Sequence, residues 1–144
     1  MKEIHGNLWD ADCDAIVITT NGTVKQSGEA VMGRGVARQA AKKWPHLPMI
    51  WGTHLTENGN HVRGIRTLGP YIVFFPVKAQ WWQVADVGLI KRSTQELVEI
   101  VDEALWMHVA LPRPGCGNGG LGWKMVKSVI EPLLDDRFVV YNND

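Results

Sequence analysis

From Leu111 to Trp123 the chain reads LPRPGCGNGGLGW: it leaves an apolar run, passes five glycines between positions 115 and 122, and enters an amphipathic segment. Glycine lets the backbone take positive φ and approach a ligand closely. The helix start behind such a loop presents unpaired N–H groups and a positive dipole end. In an open α/β sheet a loop of this kind falls outside the carboxyl ends of the strands, where ligands bind. The competing reading is a plain surface loop. The stretch is not a Walker A loop, since it lacks the GK[ST] ending. It is not a Rossmann fingerprint either, because it lies late in the chain with no acid downstream to read a ribose.

A second junction follows the same logic. Asp14 to Thr20 is a near-continuous apolar and β-branched run, the pattern of a strand covered on both faces. Thr20-Asn21-Gly22 closes that run, and Met32-Gly33-Arg34-Gly35-Val36-Ala37 leads into a helix. Two such junctions in one small sheet can face a single cleft and hold two phosphates between two helix starts. The alternative for Gly33 and Gly35 is helix packing, although glycine is costly inside a helix.

The remaining pattern alternates strand and helix, which predicts an α/β layer architecture. Strands are expected at residues 2–8, 14–20, 61–67, 70–76, 108–111 and 137–141. Helices are expected at residues 30–43, about 48–55, 86–105 and 122–134, with Pro132 distorting the last turn of the fourth. In the third helix Leu89, Leu97, Ile100, Val101 and Leu105 form the apolar side. The hairpin-like pair at 61–76 interrupts strict βαβ alternation, so the sheet is expected to be mixed. With 144 residues, one domain over 1–144 is the expectation.

Charge and cysteine usage narrow the function classes. Fifteen basic and fifteen acidic side chains cancel, which argues against a protein that grips nucleic acid by broad phosphate neutralisation. Sequence-specific nucleic-acid binding is not expected, but a phosphate-bearing small ligand is compatible, because backbone amides hold phosphate without formal charge. Cys13 and Cys116 form no CxxC pair, and His5, His46, His54, His61 and His108 have no metal spacing, so neither metal nor cofactor is expected. The start MKEIHGNLWD has no apolar core of a signal peptide, and no run approaches a membrane span, which leads to a cytoplasmic expectation without a membrane partner. His108 is read as a core histidine. Trp9, Trp44, Trp51, Trp106 and Trp123 are read as core or cap residues, whereas Trp81 and Trp82 are candidates to stack on an adenine or cover a cleft.

Taken in order, these segments resemble a known family. Asp14-Ala15-Ile16-Val17 with Thr20-Asn21, then Gly33-Arg34-Gly35-Val36-Ala37, resembles the macro-domain pattern "DAIV…N…GGGVA". Gly115-Cys116-Gly117-Asn118-Gly119-Gly120-Leu121 with Trp123 resembles the second ligand loop of one macro subgroup, and Phe75-Pro76-Val77-Lys78 with Trp81 resembles its "FPTK…W" segment. That subgroup holds ADP-ribose 1''-phosphate phosphatases and lysine-dependent ADP-ribosyl glycohydrolases. The resemblance implies a three-layer α/β/α fold with a mixed, mostly parallel sheet of about six strands. It places Asn21 at the distal ribose. It places the amides of Gly33, Gly35 and Val36 at one phosphate and the distal ribose, and those of Gly117, Asn118, Gly119 and Gly120 at the other phosphate, with Leu121 also among the ligand-binding residues. Adenine falls near Asn7 and Leu8. Many macro domains have Gly-Asp-Ile there; Gly6-Asn7-Leu8 keeps an acceptor, a weaker one than a carboxylate, with Asp10 and Asp12 as substitutes.

Two residues are implied in chemistry. Asn21 would orient the ribose or a water. Lys78, beside Trp81 and Trp82, matches the lysine that attacks the anomeric carbon in the glycohydrolases, and a desolvated lysine amine is a competent nucleophile. Part of the subgroup carries a releasing aspartate where this chain has Gly119. The expectation is therefore an ADP-ribose-binding hydrolase of the ADP-ribose 1''-phosphate phosphatase type. The alternatives are a glycohydrolase that uses Lys78 on ADP-ribosylated protein or nucleic acid, and a non-catalytic ADP-ribose-binding module. Cys116 is read as a packing residue rather than a nucleophile.

Overall fold

The computed structural model describes residues 1–143. Six strands form one sheet, β1 (Lys2–His5), β2 (Ala15–Asn21), β3 (Arg63–Ile65), β4 (Tyr71–Lys78), β5 (Val109–Pro112) and β6 (Phe138–Asn142), in the order β1-β6-β5-β2-β4-β3. All neighbours are parallel except β3, which runs antiparallel to β4. Four helices cover the sheet: α1 (Gly35–Lys43), α2 (Leu47–Asn58), α3 (Val87–Ala104) and α4 (Trp123–Ile130). The α/β layering is what the alternating pattern predicts, the mixed sheet what the 61–76 pair predicts, and the three-layer α/β/α arrangement what the resemblance implies.

The continuous apolar runs follow from burial on both faces. In β2 and β4, Val17, Val73 and Phe75 point to one side and pack with Ile90, Leu97 and Val101 of α3 and Ile130 of α4. Their sequence neighbours Ile16, Ile18, Ile72 and Phe74 point to the other side and pack with Ala37, Ala40, Leu47 and Trp51 of α1 and α2. Trp51 is fully buried, stacked 4.9 Å from the Phe74 ring, and its indole N–H donates to Asn21 O at 3.0 Å. The α2 layer is thereby fastened to the end of β2. No helix among the described residues is long and apolar enough to cross a membrane.

Several boundaries differ from the sequence expectation. The first strand stops at His5, because Asn7 caps a short 3-10 turn at Leu8–Asp10 instead of extending it. Helix α1 starts at Gly35, not at residue 30. Upstream amides are already used, Ala30 N on Pro48 O and Val31 N on Thr23 O, and Arg34 is extended. The strand expected at 61–67 shrinks to three residues. Helix α4 ends at Ile130 and runs into a 3-10 turn, Glu131–Leu133, around Pro132. Leu105 is no core residue: it is the left-handed C-cap of α3 (φ 59°) and 81% exposed. His108 is also exposed. It precedes β5, and its amide, with that of Met107, donates to the Asp14 carboxylate at 2.9 and 2.8 Å. Of the five tryptophans read as core or cap, Trp51 is fully buried and Trp106 nearly so. Trp9 and Trp123 are half-buried and bond to Gln39 and Glu3 through their indole N–H.

Candidate active site

The carboxyl ends of β2, β4 and β5 open into a cleft of about 560 Å³, within the range of small-molecule sites. Its shape begins with a bulge. Along β2 and β4, Thr20 is paired with Pro76, but the next β2 residue, Asn21, is paired with Lys78. Val77 is the extra residue, and its carbonyl accepts from Asp86 N at 2.8 Å, where Asp86 caps α3. A bulge of this kind re-aims side chains at a strand end. Here it sets Asn21 and Lys78 side by side at the mouth.

The loop from β2 to α1 is tied down by side chains. Asn21 Nδ2 donates to Val31 O at 3.0 Å, and Asn21 Oδ1 accepts from Thr23 N at 2.9 Å, so one residue clips both ends of the loop. A bridge between Val24 and Ala30 closes it further. Asn21 keeps one amide hydrogen, since the group carries two. The loop from β5 to α4 is shaped by glycine. Gly115, Gly117 and Gly120 have φ of 73°, 71° and 79°. A Cβ on Gly115 would lie 2.6 Å from Ile90 Cδ1. Residues 117–119 form a 3-10 turn, and the first amides of such a turn have no acceptor within it. The two loops meet where a Cβ on Gly35 (φ 57°) would stand 3.0 Å from Asn118 Nδ2.

The charge of the cleft departs from that of the chain. Among the described residues its charged wall residues are Arg34, Lys78 and Arg113, with no Asp or Glu. Lys78 makes no ion pair among the described residues. Partial burial, with the nearby Arg34 charge adding to it, holds its ammonium below the usual lysine range. Burial pushes the Cys116 thiol up, only partly opposed by Arg113, so it stays protonated at neutral pH and is a poor nucleophile. The Arg113 guanidinium lies 4.9 Å over the Trp123 ring. Beside the main cleft lies a smaller lobe of about 260 Å³, bounded by Asn7, Leu8, Trp9 and Tyr141, and it shares Val36, Arg113, Cys116 and Gly117 with the main one.

No protein-family model matches the sequence. A curated DNA ADP-ribosyl glycohydrolase of Thermus aquaticus is 32% identical over 143 residues, which cover 94% of this chain and 38% of the relative. The Mycobacterium tuberculosis protein of the same name is 29% identical over 148 residues, covering 94% of this chain and 40% of its own length. The chain therefore spans about two fifths of the length of the curated relatives it matches. The solved macrodomain of Mycobacterium tuberculosis DarG superposes with a TM-score of 0.83 at 28% identity, over 99% of this chain and 97% of that one. That of Thermus aquaticus DarG gives 0.81, also at 28% identity and with the same coverage. This chain is a macro domain.

The macro domain brings most of the residues singled out from sequence to one place. Asn21, Gly33, Gly35, Val36, Lys78, Gly117, Asn118 and Gly119 line the main cleft, and Asn7 and Leu8 line the smaller lobe. Asn7 Oδ1 already accepts from Trp9 N at 3.0 Å, so only its remaining lone pair is open to a ligand. Gly120 and Leu121 line neither lobe. Their amides are spent inside the loop, on Gly117 O and Gly115 O, both at 3.0 Å, so neither is available to a phosphate. Gly119 is buried, and a Cβ there would stand 3.0 Å from that of Ala85; this loop has closed over the position where a releasing aspartate would emerge. Arg34 and Arg113 were not singled out as site residues from sequence. The signal was present: residues 30–37 and 112–122 each hold one arginine and no acid.

Proposed function

We propose that this macro domain binds ADP-ribose with the adenosine in the smaller lobe and the distal ribose against Asn21 and Lys78, and that it hydrolyses the bond joining that ribose to DNA. The observation that carries the reading is the wall of the main cleft, which among the described residues holds three cations, no carboxylate and no histidine. Such a wall attracts a pyrophosphate. It also leaves Lys78 as the group able to do proton or nucleophilic chemistry at neutral pH, since arginine does not deprotonate and Cys116 is held as the thiol. The two curated relatives are named for glycohydrolase action on ADP-ribosylated DNA, which supports this reading over the phosphatase reading that the motifs alone favoured.

The chemistry follows from the residues. The neutral Lys78 amine attacks the anomeric carbon of the distal ribose; its C–N bond forms as the glycosidic bond breaks, and the bonding pair leaves with the base, which takes a proton from solvent. Water then adds at that carbon, the C–N bond breaks, and ADP-ribose is released with the amine restored. Asn21 keeps the loop and the ribose in register, which is a positioning role.

The test is release of free ADP-ribose from a single-stranded oligonucleotide carrying ADP-ribose on one base. Wild type is expected to release it, and Lys78→Ala to lose at least about a thousandfold in rate while still binding ADP-ribose, because a nucleophile has no substitute here. Phosphate release from ADP-ribose 1''-phosphate, unchanged in Lys78→Ala, would restore the phosphatase reading. Tight ADP-ribose binding with no turnover of either substrate would make the protein a binding module. The pH dependence has a definite sign. Because the Lys78 pKa is lowered, the active neutral amine becomes populated at lower pH than for a free lysine. The rate is expected to climb about tenfold per pH unit and level off below the usual lysine range near 10. A flat profile between pH 6 and pH 9 argues against amine catalysis.

A further inference from the structure

Beyond Lys78 the chain leaves β4 through Ala79-Gln80-Trp81-Trp82-Gln83-Val84. Three large apolar side chains in this turn stand in solvent: Trp81 is 47% exposed, Trp82 67% and Val84 66%. The turn is nevertheless fastened on every side. Gly22 N donates to Ala79 O, Trp81 N to Thr23 Oγ1, and Ala85 N to Gly119 O, at 2.9–3.0 Å, while Gln80 N donates to Gln83 Oε1 at 2.9 Å. It is thus anchored to both cleft loops. Trp81 belongs to the cleft wall with Lys78, whereas Trp82 is the next residue out and belongs to neither lobe.

We infer that Trp82, flanked by Val84, is a stacking platform for a nucleobase adjacent to the modified one in a single-stranded polynucleotide. The inference rests on the proposed glycohydrolase function and names the strand that its substrate belongs to. Position is the first reason. Whatever is bonded to the distal ribose leaves the cleft past Lys78, and the turn that stands there offers two indoles in succession. Charge is the second. Among the described residues Arg34 and Lys78 form no ion pair, and Asp86, which follows the turn, spends its carboxylate on the amides of Gly88 and Leu89. A phosphate backbone complements that rim. The third is the chain's zero net charge. Without a broad basic surface, a strand has to be held by base stacking, which tolerates any sequence because every base has a π-face.

The test compares Trp82→Ala and Trp82→Phe with wild type on three substrates: a short ADP-ribosylated single-stranded oligonucleotide, the matching ADP-ribosylated mononucleoside, and an ADP-ribosylated peptide. For Trp82→Ala, kcat/KM on the oligonucleotide is expected to fall about tenfold, mostly through KM, with Phe restoring most of it. The mononucleoside and the affinity for free ADP-ribose should not change. No loss on the oligonucleotide overturns the inference, and an equal loss on the peptide replaces it with a protein-docking surface. Binding of the modified oligonucleotide to Lys78→Ala protein, with and without Trp82→Ala, decides the point independently of turnover. Should wild type release nothing, the glycohydrolase reading fails, while this binding difference still tests the platform.

Discussion

The two loops that form the cleft reach the same place by opposite means. The β2–α1 loop is held by side chains: Asn21 clips its two ends, and its exposed Gly33 has open space around it. The β5–α4 loop is held by the absence of side chains, with three glycines at positive φ and Gly115 pressed against Ile90 and Ala85. The first can therefore lose its shape through removal of one polar group. The second loses it through addition of one methyl.

Substitutions can break or sharpen that contrast. The largest effect is expected for Gly115→Ala, where a left-handed residue and a 2.6 Å contact with Ile90 combine. Strain and overpacking of this kind sum to about 2–4 kcal/mol. Thermal unfolding should fall by roughly 10 °C, reckoned at about 3–4 °C per kcal/mol for a chain of this size. Asn21→Ala comes next: it orphans Val31 O and Thr23 N, at about 1–3 kcal/mol, and should weaken ADP-ribose binding in calorimetry. Gly33→Ala is the smallest, within about 0.5 kcal/mol in a denaturant titration, since the backbone is ordinary there and nothing stands within 4 Å. A cost at Gly33 equal to that at Gly115 would end the distinction between the loops.

The layers of the fold were readable because their physics is local and periodic. Ala15 to Ile18 is apolar throughout since both faces are covered, and Pro45 and the Asn58-Gly59 pair mark the ends of α1 and α2. What escaped sequence reasoning depends on partners distant in the chain. The late start of α1 comes from Pro48 O and Thr23 O taking the amides of Ala30 and Val31. The loss of Gly120 and Leu121 from the site comes from hydrogen bonds that turn their amides inward. The bulge at Val77 has no signature in the neighbouring residues, and the partner of its carbonyl, Asp86 N, lies on the far side of the turn. Charge shows the same limit in another form: the totals cancel, while the cleft gathers Arg34, Lys78 and Arg113 and no acid among the described residues.

The strand order also sets a schedule for biosynthesis. Among the described residues β1 pairs with β6 alone, so within this domain an early strand waits for a late one, and Met1 N reaches Leu134 O across 133 positions of sequence. The main cleft hangs on β2, β4 and β5, whereas the smaller lobe needs Asn7 from the beginning of the chain and Tyr141 from its end. Non-local pairing of this kind is slow. Once the residues up to Gly122 are free to fold, both glycine loops of the main cleft are in hand, while the smaller lobe still lacks Tyr141.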